Sequence, residues 1–241
     1  MNKTISPLVI LGWILGASIV IAVSIGAFVV YQVTLSNNTL SVTGSAKQQV
    51  TADTVKWVST LTRPAKVSTL KAGYATLSRD LAEVKAFLIT QGIPEDQIVI
   101  TPVFMDEVYQ QYPQPEKEYT LRQTIEIQST DVTKVTAVAK NISPLIDKGL
   151  LYSTSSLEYY YSKLPEARVT LLADAIKDAQ ARAGEIASAG GSKIGALKSA
   201  SSGVVQVMSH GSTDVSDYGS YDTSKVEKDI MVTVKATFRM R

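Results

Sequence analysis

Residues 66–91 read KVSTLKAGYATLSRDLAEVKAFLITQ, and the apolar residues of this stretch recur at Val67, Leu70, Tyr74, Leu77, Leu81, Val84 and Leu88. Steps of three and four bring them to one side of a helix, because a turn takes 3.6 residues. The other faces are mostly polar, so the spacing predicts a helix from about Lys66 to Gln91 with one narrow apolar stripe. Such a stripe either lies across a sheet or forms a seam with a second helix. Gly92 stops the helix, and Ile93-Pro94-Glu95-Asp96 reads as a loop.

The segments on either side have the period of two that marks half-buried strands. Upstream, Leu40, Val42, Gly44 and Ala46 alternate with Ser41, Thr43, Ser45 and Lys47. A turn near Gln49–Asp53 leads to a second strand, Thr54–Thr62, with Val55, Trp57 and Leu61 on one face and a break at Arg63-Pro64. These two strands are expected to pair as a hairpin. Downstream, Gln97–Met105 reads as a strand and Glu107–Glu118 as a hairpin tip. Tyr119, Leu121, Gln123, Ile125 and Ile127 then mark a strand buried on one face.

The pattern then repeats. Asp131 is placed to cap a shorter helix that runs to about Asp147, with Val132, Val135, Ala139, Ile142 and Leu145 inward and Pro144 kinking its end before Gly149. A strand from Leu150 to about Tyr161 precedes a second long helix opened by Pro165. The expected inward set of that helix is Val169, Leu172, Ile176, Ala179, Ala183 and Ile186, and Gly190-Gly191 caps it. An extended segment, Ile194–Met208, and a turn-rich loop, Gly211–Ser224, lead to a last strand. There Ile230, Val232, Val234, Ala236, Phe238 and Met240 face inward against Asp229, Met231, Thr233, Lys235, Thr237 and Arg239. Residues 54–128 and 150–240 thus form an internal repeat of pattern rather than identity. The fold class expected is α+β, with two βαββ-type units whose long helices pack on mainly antiparallel sheet, plus one N-terminal transmembrane helix.

That helix is the run Leu8–Val33, which has no charge and no proline. As a helix it reaches about 39 Å, more than the roughly 30 Å hydrocarbon core of a bilayer. Leu8, Ile19, Phe28 and Val33 supply apolar surface, and Trp13 and Tyr31 suit the two water interfaces. A cleaved signal peptide is the competing reading, with Lys3 as a basic region and small residues at Ser24-Ile25-Gly26 and Gly26-Ala27. Lys3 precedes the run and no Lys or Arg follows until Lys47, which points to a cytoplasmic N-terminus. Residues 1–33 are therefore expected to be the anchor and 34–39 a linker, with 40–241 a domain of about 200 residues, large enough for a core without covalent staples.

Composition excludes some chemistry and disfavours more. With no cysteine there is no disulfide, no thiolate nucleophile and no cysteine metal site, and a single histidine, His210, excludes a multi-histidine centre. A net charge of +2 with interspersed signs gives no basic patch, so no nucleic-acid partner is expected. Gly190-Gly191-Ser192-Lys193 lacks the order of a phosphate loop and lies at a helix end. Asp214, Asp217 and Asp222 lack the spacing of a calcium loop. His210 reads as a surface histidine, and Glu158 beside Tyr159, Tyr160 and Tyr161 as part of a strand with tyrosines on both faces. The expectation is no catalytic residue, no metal, no cofactor and no enzymatic activity. Tyr109, Tyr112 and Tyr119 in one tip and Tyr218 and Tyr221 in the late loop are the candidate subunit contacts. The same tips would serve a sensor module for a ligand or partner whose identity the residues leave open.

Three segments carry a family resemblance: Leu40–Val55 (LSVTGSAKQQVTADTV), Ala173–Leu197 (ADAIKDAQARAGEIASAGGSKIGAL) and Ile230–Phe238 (IMVTVKATF). Together the chain from about Leu40 onward resembles the SIMPL-domain family, of the bacterial oxidative-stress defence and periplasmic immunogenic protein type. The resemblance implies a periplasmic or extracytoplasmic α+β domain that forms a large homo-oligomeric ring and is linked to envelope and oxidative stress. With the anchor retained, it implies a single-pass protein of the bacterial inner membrane that has the bilayer and its own copies as partners. The resemblance carries over no catalytic residue.

Overall fold

The computed structural model describes residues 7–109 and 115–241. The fold is α+β, and by internal contacts the chain divides into two compact units. One comprises Lys47–Leu171 and Val204–Met231, the other Met1–Ala46, Leu172–Gly203 and Val232–Arg241.

The N-terminal run forms α1, Pro7–Asn37. Its segment Leu11–Tyr31 is 21 residues long, has a mean hydropathy of 2.4 and buries none of its surface against protein. Its two serines bond within the helix, Ser18 Oγ donating to the Leu15 carbonyl and Ser24 Oγ to that of Val20, both at 2.8 Å. The hydroxyls therefore need no water, as a hydrocarbon surrounding would require.

In the larger unit an antiparallel sheet runs in the order β3 (Ile98–Ile100), β5 (Glu118–Ser129), β2 (Thr54–Lys66), β6 (Leu151–Tyr160), with β4 (Phe104–Glu107) also on β5. The period-two residues Val55, Trp57, Leu61, Leu121, Ile125 and Ile127 point to one face and are fully buried. Over them lies α2, Leu70–Thr90, through Leu77, Val84 and Leu88, so the narrow stripe serves sheet packing. Trp57 Nε1 donates to Thr154 Oγ1 at 3.1 Å, which satisfies the one polar atom of the largest core side chain. Tyr152 OH donates to Ser59 Oγ at 2.6 Å, and Ser59 Oγ to the Ile125 carbonyl at 3.1 Å.

Several local expectations are corrected. The break expected at Arg63-Pro64 is absent, and β2 runs through both to Lys66, with Pro64 opposite Thr120 of β5. Residues 67–69 form a 3₁₀ turn, which leaves Val67 exposed and delays the start of α2 to Leu70. The strand expected over Gln97–Met105 breaks at Pro102, which has no N–H to donate. Ile100 faces Ile125 but Phe104 faces Arg122, so the interrupted strand gains one residue over β5 in the manner of a bulge. The short helix is two, α3 (Val132–Lys140) and α4 (Ser143–Asp147), with Pro144 in the first turn of α4 instead of kinking a helix end. Asp131 does cap, its Oδ1 accepting from Lys134 N at 3.0 Å.

The expected β1–β2 hairpin does not form. Strand β1, Thr39–Thr51, belongs to a second sheet, ordered β1, β9 (Glu227–Met240), β7 (Ile194–Ser209), β8 (Ser220–Tyr221). Between β1 and β2, Ala52 N donates to the Val226 carbonyl and Asp53 N to that of Tyr160. Both bonds lead away from a hairpin turn, so the chain passes from one sheet to the other.

The second long helix, α5 (Leu164–Ala189), buries the expected Ala179 and Ala183 and half-buries Leu172 and Ile176, but the centre of its inward face lies on alanines and not on its larger residues. In the larger unit Ala167 and Leu171 are buried, and in the smaller Ala175, Ala179, Ala183 and Ala187. Val169 and Ile186, expected inward, are 69% and 53% exposed. Gly44 of β1 accounts for the preference: a Cβ there would stand 2.2 Å from the Ala175 carbonyl oxygen and 2.4 Å from Ala179 N. Only alanine permits so close an approach of helix and strand. Gly44→Val should therefore destabilise the protein by more than the about 1–3 kcal/mol usual for overpacking, because the obstacle is backbone. Thermal denaturation followed by circular dichroism measures this. Thr43→Val, on the exposed face of β1, is the control and should leave the midpoint nearly unchanged.

Candidate functional site

Among the described residues, the charged side chains that the fold buries most deeply lie at the start of β9. Lys228 and Asp229 are 0% and 1% exposed, although alternation places Asp229 on the wet face of the last strand. Three donors converge on the Asp229 carboxylate. Lys47 Nζ lies 2.9 Å and Gly211 N 3.0 Å from Oδ2, and His210 Nδ1 lies 3.1 Å from Oδ1. Gly211, with φ +82°, makes the turn that brings its own N–H and His210 to the carboxylate. Burial by itself raises the pKa of Asp229, but the hydrogen bonds from Lys47, Gly211 and His210 outweigh it and hold the group down at about 2.

A second set adjoins it in the same unit. Asp222 accepts from Ser209 Oγ and from Ser224 N, and these bonds hold its carboxyl at about 2. Its backbone carbonyl accepts from Lys228 Nζ at 2.5 Å, and that ammonium sits 5.6 Å from the Tyr221 ring centre. Burial lowers the Lys228 value, and the charge of Asp222 works against that. Tyr221 OH accepts from Tyr161 N at 2.8 Å, and its ring lies 5.8 Å from that of Tyr160. Tyr160 OH donates to Glu158 Oε2, which pushes the phenol up to about 12. Chemically these are clasps that pin the 209–224 segment. The His210 ring is half exposed and oriented by a carboxylate, but the adjacent Ser209 hydroxyl is committed to Asp222.

The tyrosines proposed as contacts take different positions. Tyr109 and Tyr218 are 91% and 96% exposed. Tyr119 is half-buried on β5 opposite Ala65 and Glu107, Tyr221 belongs to the clasp, and Tyr112 lies outside the described residues. Near Tyr109, β4 exposes Phe104 and Met105. Gly190, Gly191 and Ser192 close α5 by donating to the carbonyls of Ile186, Ser188 and Ala187. Among the described residues no cluster of three or more metal-ligating side chains forms. The His210–Asp229 pair was not legible in sequence, since the partners lie 19 residues apart on separate elements and only the Gly211 turn hints at the reversal.

Residues 40–238 match the sequence model of the SIMPL family, described as a protein of unknown function (DUF541). No curated protein matches the chain.

Both aspartates lie below their ordinary 3.8 in the folded state. Their contribution to stability is therefore complete above that value and is lost as the pH falls through it toward about 2. Acid titration of the circular dichroism signal should show unfolding that steepens in this window, and Asp229→Asn should flatten it while lowering stability at neutral pH.

Proposed function

The chain belongs to the SIMPL family, and from this we propose a membrane-anchored extracytoplasmic protein whose copies assemble into a large homo-oligomer, ring-like in form. Its role is structural and protective, in envelope or oxidative stress, and it works without catalysis. The observation that carries the anchored reading is the 21-residue apolar segment of α1, none of which is buried by protein. A soluble helix apolar on every side would need protein around it. The N-terminus lies in the cytoplasm and the family domain on the other side of the bacterial inner membrane, in keeping with the scarcity of basic residues between α1 and Lys47.

Assembly draws support from the exposed aromatic and apolar side chains Tyr109, Tyr218, Phe104 and Met105. Along α1, Gly12 and Gly16 have open space where a side chain would stand, which lets a neighbouring helix approach. Many anchors in one assembly add avidity for the bilayer. The exposure of Tyr109 and Tyr218 also favours a second reading, a sensor that binds a partner through these tips.

Mass photometry of the full chain in a sugar-free detergent should show a high-mass species at micromolar concentration, and a solely monomeric population would overturn the assembly model. Tyr109→Glu combined with Tyr218→Glu should weaken assembly by about tenfold or more, since each places a charge in a contact. N-terminal analysis of the membrane fraction should find α1 intact. Cleavage near Ala27 would instead identify a signal peptide.

A further inference from the structure

The end of β9 meets the chain where it leaves the anchor. Met240 N donates to the Asn38 carbonyl at 2.9 Å, and Asn38 directly follows α1. Lys193 and Arg241 exchange two backbone hydrogen bonds, at 2.9 and 2.7 Å, so they stand opposite each other where β7 and β9 meet. Lys235 and Arg239 occupy the face of β9 that alternates with the buried Val234, Ala236 and Phe238, and Arg241 continues it. Position 195 of β7 is glycine, where a Cβ would stand 3.2 Å from Arg241 Nε and 3.5 Å from Arg239 Cβ. The two arginine side chains meet over the space this leaves.

Charges of both signs are interspersed along the chain, but the fold collects these cations without acids. Lys193, Lys235, Arg239 and Arg241 are exposed, and none of them forms an ion pair among the described residues. The acids of the smaller unit, Asp174, Asp178 and Glu185, all lie on α5. That helix packs on the opposite face of the sheet, through Ala179 and Ala183 against Ala236 and Phe238. Asp174 and Asp178 are engaged there by Lys177 and Arg182. Elsewhere on the sheets Lys47, Lys56 and Arg122 meet carboxylates at 2.9, 3.0 and 3.2 Å. Like charges set opposite one another on neighbouring strands repel, so this face has a demand for anions that the chain itself does not meet. A carboxylate ending the chain at Arg241 would offset one of the positive charges.

Position selects the anion. From Tyr31, which ends the apolar segment, α1 rises about 10 Å to Asn38. The headgroup layer is about 6 Å thick on each side of the hydrocarbon, and the Debye length adds about 8 Å at physiological ionic strength. The cations beside Asn38 are therefore within electrostatic reach of the bilayer surface when α1 spans it. Residues 32–46 contain no Lys or Arg, as suits a segment carried across a membrane. The positive charge instead comes from far along the chain and reaches the anchor only when the domain folds. We propose that Lys193, Lys235, Arg239 and Arg241 form a face that binds the headgroups of anionic phospholipids in the leaflet from which α1 emerges. This rests on the anchored reading of α1 and adds a lipid preference that an apolar helix alone does not supply.

The test is native mass spectrometry of the full chain released from neutral-detergent micelles that carry phosphatidylglycerol and phosphatidylcholine in equal amounts. Each surface cation strengthens attraction to anionic lipid by about fivefold, so bound phosphatidylglycerol should exceed bound phosphatidylcholine by about tenfold or more. Arg239→Gln combined with Arg241→Gln should remove most of that preference, and replacing both by Lys, which keeps the charge, should retain it. Lys193→Gln with Lys235→Gln is an independent pair and should lower it as well, with circular dichroism confirming that each variant is folded. Lys148→Gln, which breaks a surface ion pair with Glu83 in the larger unit, should leave it unchanged. Equal binding of the two lipids, a preference that neither Gln pair alters, or its loss to inorganic phosphate at the concentration of the lipid would overturn the proposal. Anchoring is read separately, from retention of the full chain in pure phosphatidylcholine vesicles through a high-salt wash. Release there would overturn the anchored reading and the lipid face with it, whereas retention without a lipid preference would overturn the lipid face alone.

Discussion

The contact on which the smaller unit depends is that of Gly44 with Ala175 and Ala179. A strand and a helix approach there until no Cβ fits between them, and the packing gained comes from backbone and alanine surface instead of large side chains. Interiors are packed to crystal-like density, so a gap at this place is not available to absorb even a methyl group. The alanines at 175 and 179 of α5 and the glycine in β1 follow from this one constraint.

The larger unit is stabilised by a different means. There, large residues fill the space between α2 and the sheet, and the polar atoms that must enter the core are satisfied in place, as at Trp57 and in the chain from Tyr152 through Ser59 to Ile125. The buried charges obey the same rule at higher cost. Asp229 tolerates burial because three donors meet it, and Lys228 because a carbonyl and an aromatic face stand where water would. Burial and ion pairing compete at Asp229, and the depressed pKa records that pairing prevails.

These polar knots bear on the proposed contacts through what they hold. They fasten the 209–224 segment that presents Tyr218, and the Glu158–Tyr160 bond fixes the Tyr160 ring beside Tyr221. Exposed surface is thereby displayed from a segment with its own internal bonds, and a preorganised contact loses less entropy on binding than a free loop.

The amino-acid sequence by itself determined the apolar N-terminal helix, from its unbroken run, and the helix within residues 66–91, the one-sided strands and the α+β class, from spacings of two or of three and four along single segments. The family segments lay in the same continuous stretches. Tertiary structure alone decided which strands pair, which face of α5 turns inward and which charges are buried. Pairing between β1 and β9, or between His210 and Asp229, joins residues far apart in the chain, and no local period records it. In α5 the larger apolar residues are uneven guides, since Gly44 leaves room only for alanine at 175 and 179, while Leu171 is buried, Leu172 and Ile176 are half-buried, and Val169 and Ile186 are exposed.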